Sequence, residues 1–324
     1  MSDPTSSGGP GMSGGSVDPG AREEPPGGPG APRAREEQPP RSGDPGGREE
    51  PPGGSGGLRG REEQLAYSET MAKMLDEEGR RQKAAKIVSV VGHALGVDGL
   101  AGLRAVDVGC SAGFIADELA QAGATTSGVD IDEPGLAKAR ARFGERVDFR
   151  LARGEDLPFD DESVDVAVLN HIYEHVVDPE AVVADIHRVL RPGGVLYLGV
   201  GHRWQVLEPH HRLPFLSWLP RGAADRYLRL TGKGQHYYER YYTPAGLRRL
   251  FAAFDVWDYT LPVLTDPQRF SAGDNVPGWA AKVPPGAFRA ALPLVPTYVW
   301  AAFKGAAAPA GPPLRVPPRH LTSP

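Results

Sequence analysis

The sequence predicts an α/β fold: a doubly wound sheet, mostly parallel with a final antiparallel strand pair, and helices on both faces. Three observations predict it. Five strand-then-helix units follow one another from Leu103, the rhythm of strands joined by crossover helices. The first run ends in Gly109-Cys110-Ser111-Ala112-Gly113, a turn of small residues from which a helical pattern restarts at Phe114. After Gly201 the rhythm stops, and two later apolar runs suit a closing antiparallel pair.

Taken in order, Gln64 to Leu95 is rich in helix formers and broken by Gly79, which predicts two helices ahead of the sheet. Leu103–Val108 is the first strand. Phe114–Gln121 is the helix after the glycine turn, with Gly123 as its stop. Thr125–Asp130 is the second strand. Asp132 and Pro134 suit the cap and first turn of a helix running to Phe143. Val147–Leu151 and Val164–Asn170 are the third and fourth strands, the latter mostly apolar and expected to be buried. Asp178-Pro179 opens the next helix, which ends before the turn Arg191-Pro192-Gly193-Gly194 and the fifth strand, Val195–Val200. The stretch Trp204–Tyr242, rich in Pro, His and aromatic residues, is too long for an ordinary connection and is expected to cover the site. Thr243-Pro244 starts a helix to Phe254. Val256–Thr260 and Thr297–Lys304 complete the sheet.

Composition sets the boundaries. The first 60 residues hold 12 Pro and 17 Gly and no aromatic residue, too little apolar surface to offset the entropy of ordering. Arg-Glu-Glu recurs at Arg22, Arg35, Arg48 and Arg61, a 13-residue spacing that is read as low complexity. The chain therefore divides into a disordered tail at 1–63, a folded domain at 64–305 with inserts at about 202–242 and 262–296, and a flexible tail at 306–324. The first 60 residues carry nine acids and six arginines, −3 of the net −5, so the rest carries −2. That balance argues against a nucleic-acid partner bound through a basic groove. Neither a signal-peptide pattern nor a long uncharged apolar stretch is present, and Cys110 is the single cysteine; a soluble cytoplasmic protein is expected.

In an open parallel sheet, ligands bind beyond the carboxyl ends of the strands, where a turn offers backbone N–H groups. Gly109 and Gly113 let backbone come close to a ligand. Asp130, 21 residues after Gly109, stands at the second strand end, where a carboxylate accepts from both hydroxyls of a ribose. A dinucleotide fingerprint would need glycines at 111 and 114; Ser111 and Phe114 stand there, which disfavours a nicotinamide-dependent oxidoreductase. A nucleoside ligand without a pyrophosphate fits better.

With those residues in view, Val106-Asp107-Val108-Gly109-Cys110-Ser111-Ala112-Gly113 resembles the first motif of class I S-adenosylmethionine-dependent methyltransferases. Gly128-Val129-Asp130-Ile131-Asp132 resembles their second motif. Glu155-Asp156-Leu157-Pro158-Phe159 with Ser163-Val164-Asp165-Val166 resembles the third, and Leu190-Arg191-Pro192-Gly193-Gly194 the turn before the fifth strand. The resemblance covers roughly 84–200 and implies a Rossmann-like sheet with S-adenosylmethionine as cofactor. It implies that Asp107, Gly109, Cys110, Ser111 and Gly113 hold the methionine end, Asp130 the ribose, Ile131 the adenine face, and Glu155 or Asp156 the adenine amino group. Asn170 and His175 would follow the fourth strand beside cofactor and acceptor. Two positions depart from the pattern: Ser111 replaces a common glycine, and Arg153 stands where many relatives have an acid.

The implied activity is transfer of a methyl group to a small-molecule or lipid-like acceptor, where alignment and desolvation do most of the work. A base is needed where the acceptor begins protonated. Of His171, His175, Glu208, His210, His211 and Tyr237, Tyr238, Tyr241 and Tyr242, the preferred residues are His210 and His211, with His175 beside them. His202, Glu208, His210, His211 and His236 match no tight metal-ligand spacing, so no metal is expected. The apolar stretches from Leu213 to Leu219 and from Val276 to Trp300 suit a hydrophobic acceptor or at most a peripheral membrane contact. The rival in another class is a non-catalytic protein that keeps the cofactor fold for regulation or scaffolding. Oligomeric state is not legible.

Overall fold

The computed structural model describes residues 77–273, 284, 286–287 and 292–321. The expected disordered tail at 1–63 and part of the second insert lie outside these residues. Nearly every expected strand appears. In chain order the elements are α1 (Glu77–Leu95), β1 (Arg104–Val108), α2 (Phe114–Gln121), β2 (Thr125–Asp130), α3 (Glu133–Phe143), β3 (Val147–Leu151), β4 (Val164–Asn170), α4 (Pro179–Val189) and β5 (Leu190–Gly201). The hairpin β6 (Leu207–Glu208) and β7 (Leu213–Pro214), α5 (Arg221–Thr231), α6 (Pro244–Leu250), β8 (Asp255–Asp258), α7 (Thr260–Thr265), β9 (Thr297–Phe303) and β10 (Arg319–Leu321) follow.

The sheet has the order β10-β8-β9-β5-β4-β1-β2-β3. From β3 to β5 every pair is parallel, and β9 joins β5 antiparallel with Leu198 opposite Trp300. The order reverses at β1, so the chain leaves β1 in one direction and β4 in the other; ligands bind outside the carboxyl ends of strands at such a switch point. β4 is buried except at Asn170, as a strand covered on both faces must be. Its residues alternate between two cores. Ala167 and Leu169 pack with Leu196, Leu198, Val182, Val183 and Ile186, while Val166 and Val168 pack with Tyr197, Ile87, Val90 and Val91 across the sheet.

Local chemistry sets the helix starts. Asp132 accepts from Gly135 N at 3.1 Å and Asp178 from Ala181 N at 2.9 Å, each ahead of a proline in the first turn, and Thr243 Oγ1 accepts from Gly246 N at 3.1 Å. These satisfy amides that the helix itself leaves unpaired.

Several expectations are corrected. Gly79 lies inside α1 instead of breaking it; its cost of about 1 kcal/mol is offset by the packed face of Ala84, Ile87, Val90, Val91 and Ala94. The turn expected at 191–194 is absorbed into β5, because Gly193 N and Gly194 O bond to Lys304. α6 ends at Leu250 instead of Phe254, and β8 stops at Asp258, where Asp258 Oδ1 accepts from Thr260 N at 2.9 Å and α7 begins. The insert at 202–242 contains a hairpin and a helix. At the C-terminus, expected as a flexible tail, Arg319–Leu321 pairs antiparallel with β8, so the β8–β9 pair is not the edge of the sheet.

Candidate active site

β1, β2 and β4 run side by side, with Asp107 opposite both Gly128 and Val168. The turn after β1 has three left-handed residues, Gly109 at φ 77°, Ser111 at φ 48° and Gly113 at φ 80°. It is fastened beneath by Gly109 N and Cys110 N, both donating to Val129 O, and by Gly113 N donating to Cys110 O. The glycines are also required by space. A Cβ on Gly109 would lie 2.4 Å from Ile172 Cδ1, and one on Gly113 would lie 2.6 Å from Phe149 Cζ.

Asp107 is buried and its Oδ2 has no hydrogen-bond partner; Ser111 Oγ is in the same state. Unsatisfied buried polar atoms are costly and call for an explanation, and two flanking one glycine turn fit a polar ligand. Burial, and then the charge of Asp130, push the Asp107 carboxyl up to about 7 against the backbone bond from Ala116. Asp130 accepts from Ser111 N at 2.6 Å and Asp132 N at 2.9 Å. Burial raises its pKa, opposed by these bonds. The Cys110 side chain packs among Phe114, Phe143 and Phe149, with burial driving its thiol far above the ordinary value.

Of the residues expected at the adenine, Ile131 and Glu155 are half-buried while Asp156 is exposed. Arg153 Nε lies 3.7 Å from Glu155 Oε2, so the departure from the family pattern carries its own counter-charge. Asn170 closes β4 opposite Gly199; a Cβ at Gly199 would fall 2.1 Å from Asn170 Oδ1, so the glycine makes room for that amide.

The segment after β4 joins this turn to the insert. His171 N donates to Gly199 O, Tyr173 OH to Gly201 O at 2.6 Å, Arg240 N to Glu174 O, and Tyr242 N to Tyr173 OH. Six side chains from three segments, His175, Glu208, His210, His211, Glu239 and Tyr241, come close there. His210 Nδ1 lies 2.7 Å from Glu208 Oε1, and Glu208 Oε2 accepts from His211 N at 2.7 Å. The His175 ring meets the His210 ring edge-on, 4.8 Å between centroids. Glu239 Oε2 lies 3.7 Å from His211 Nε2, a charge contact too long for a hydrogen bond. Tyr241 OH lies 3.4 Å from Glu208 Oε1 and 3.2 Å from His210 Nδ1.

Burial lowers the pKa of His210, but the bond to Glu208 and the charges of Glu239 and Glu174 outweigh it, so the imidazole titrates above its ordinary value. The contact with Glu239 raises His211. Burial keeps His175 below the usual range despite Glu174. Glu239 is held at about 2: burial works against its charge, and the histidines override it. Glu174 is buried, with Oε1 3.2 Å from His171 Nδ1 and Oε2 without a hydrogen-bond partner.

The structure thus joins His175, His210 and His211 and separates other residues weighed with them. His202 bonds to Val295 O at 2.6 Å and stacks on Tyr298, and exposed His236 lies 3.4 Å from Asp225. Sequence reasoning missed Glu174 and Glu239. The available signal was a lone acid within a run of aromatic and histidine residues, at 171–175 and 237–242. A cavity of about 630 Å³ between α4 and α6 reaches Tyr241 and is lined by Glu180, His187, Arg203, Tyr242 and Arg249. Among the described residues no helix is long and apolar enough to cross a membrane.

Residues 106–198 match the family model described as a methyltransferase domain. A ubiquinone biosynthesis O-methyltransferase from Thiobacillus denitrificans is 34% identical over 155 residues, 47% of this chain and 63% of that protein. One from Rhizobium leguminosarum bv. trifolii is 31% identical over 157 residues, 48% of this chain and 59% of that protein. The chain thus spans about three fifths of the length of these relatives. A solved S-adenosylmethionine-dependent methyltransferase from Mesorhizobium loti aligns at 19% identity over 64% of this chain and 93% of that one, with a TM-score of 0.46.

Proposed function

From the methyltransferase domain that residues 106–198 carry, we propose that this chain transfers a methyl group from S-adenosylmethionine to the oxygen of a small-molecule acceptor. The observation that carries the reading is the turn after β1, with its left-handed glycines, the unsatisfied Asp107 Oδ2 and Ser111 Oγ, and Asp130 at the neighbouring strand end. When bound, the cofactor supplies an electrophilic methyl on a sulfonium. Asp107 and the 109–113 turn would hold its methionine end, Asp130 its ribose and Ile131 with Glu155 its adenine, with Asn170 at the end of β4 beside cofactor and acceptor.

Oxygen is proposed because the relatives are named as O-methyltransferases. His175, His210 and His211 are the proposed catalytic residues: they orient the acceptor hydroxyl and draw its proton away from the oxygen. An apolar acceptor suits the insert, where Trp204, Val206, Leu207, Phe215 and Trp218 are exposed on the segment that carries Glu208, His210 and His211. The test is incubation of the purified chain with methyl-labelled cofactor and an extract of its source. Label in an alkali-stable, organic-soluble product supports the reading; cofactor binding with no labelled product favours the non-catalytic alternative.

A further inference from the structure

We infer that His175, His210 and Glu239 form a binding site for a divalent cation of the zinc class. The three come from the turn after β4, the β6–β7 hairpin and the segment before α6. One ligand atom from each lies within 4.8 Å of the others. Donors about 2.1 Å from a tetrahedral ion stand roughly 3.4 Å apart, so small side-chain adjustments bring this set onto an ion.

The surroundings favour a ligand set over three polar side chains that merely meet. His210 Nδ1 lies 2.7 Å from Glu208, a carboxylate–histidine pairing of the kind that orients imidazoles at metal sites. Glu208 is itself held, since its other oxygen accepts from His211 N. Glu239 has a side chain only 10% exposed, yet its oxygens come no nearer to His210 and His211 than 3.9 and 3.7 Å, and Oε2 has no hydrogen-bond partner. Glu174, with a fully buried side chain, adds a second unsatisfied carboxylate oxygen. Burying Glu174, Glu208 and Glu239 together calls for positive charge among them, which a dication supplies in place of protonated histidines. Two imidazoles and a carboxylate suit zinc, cobalt or nickel better than magnesium or calcium, which prefer all-oxygen sites.

Three protein ligands leave a fourth position open, as in catalytic rather than structural zinc sites. An acceptor oxygen placed there is polarised by the ion; His175 and His210 then serve as ligands, and His211 alone is left to draw the proton. That role, unlike the binding itself, rests on the proposed methyl transfer.

The test uses the tag-free full chain, stripped with chelator and titrated with cobalt(II) and, separately, zinc(II). The expected result is one equivalent of cobalt with the visible absorption of a four- or five-coordinate ion, and a matching zinc heat. Glu239→Gln and His175→Ala, checked by circular dichroism for native fold, should each weaken cobalt binding at least ten-fold, and Glu208→Gln by roughly 10- to 100-fold. His236→Ala should leave it unchanged. Absence of both signals in the unmodified chain, or unaltered cobalt affinity in Glu239→Gln and His175→Ala, overturns the inference. Titration of the same sample with S-adenosylhomocysteine separates the two proposals: cofactor binding without metal removes only the cation, and metal binding without cofactor removes only the methyl transfer.

Discussion

His210 Nδ1 lies 2.7 Å from Glu208 Oε1, and the same carboxylate is anchored through its second oxygen to the amide of His211. Glu208 fixes which nitrogen of His210 faces outward and is itself immobilised by the backbone it shares a hairpin with. Glu208→Gln keeps the shape but removes the charge. Label transfer should slow at least ten-fold, a loss of the size that outer carboxylate partners produce, with S-adenosylhomocysteine affinity unchanged. An unaltered rate would assign the pair to packing.

Asp107 links stability to pH. Its carboxyl is pushed up to about 7, whereas an unfolded aspartate ionises near 3.9. Between those values the folded chain keeps a proton that the unfolded chain has lost, so this group's contribution to stability falls as pH rises from about 4 to about 7. Asp107→Asn removes that penalty. Its melting temperature, relative to the parent chain, should rise more at pH 8 than at pH 5, while cofactor affinity falls. The same shift at both pH values would contradict the burial argument.

Gly109→Ala places a methyl 2.4 Å from Ile172 Cδ1 in a residue at φ 77°. Strain of about 1 to 3 kcal/mol is expected from the backbone alone, read as a lower denaturant midpoint together with loss of cofactor binding. Adding Ile172→Ala should restore part of the stability by relieving the contact, leaving the backbone term. No restoration would place the cost entirely in φ.

Much of the fold was legible because its signals are local. Asp132-Glu133-Pro134 and Asp178-Pro179 announce helix starts within a single turn, and β2, β3 and β4 have their expected limits. The acceptor side was legible only in part. His210 and His211 drew notice as a pair, but Glu239 reaches them through the topology, from a segment whose neighbours are aromatic. The hairpin pairs only Leu207 with Pro214 and Glu208 with Leu213, too short for alternation to show. β10 sits in a Pro-rich stretch with no period; it exists because β8 offers an edge and Asp258 Oδ2 takes Arg319 Nη2 at 3.3 Å.

Asp117 gives a stability test away from the site. Its buried side chain accepts from Arg146 Nε and Nη2 at 3.0 and 2.6 Å, from Arg81 Nη1 at 3.3 Å and from Gln121 Nε2 at 2.7 Å. These contacts tie α2 to α1 and to the chain entering β3. Because both arginines are partly exposed, Asp117→Ala should cost about 2 to 3 kcal/mol, less than breaking a fully buried pair, with cofactor affinity per folded molecule unchanged. Denaturant unfolding with no shift of midpoint would show the contacts to be worth nothing.

Calorimetric titration of the full chain with S-adenosylhomocysteine, beside Asp130→Ala, tests the central claim most directly. Asp130 lies at the second strand end and orders Ser111 and Asp132 through their amides. The account predicts saturable binding at one site per chain, weakened by about 1.5 to 3 kcal/mol in the variant, the worth of charge-assisted hydrogen bonds. Absence of heat in the unmodified chain, or equal affinity in the variant, would contradict it.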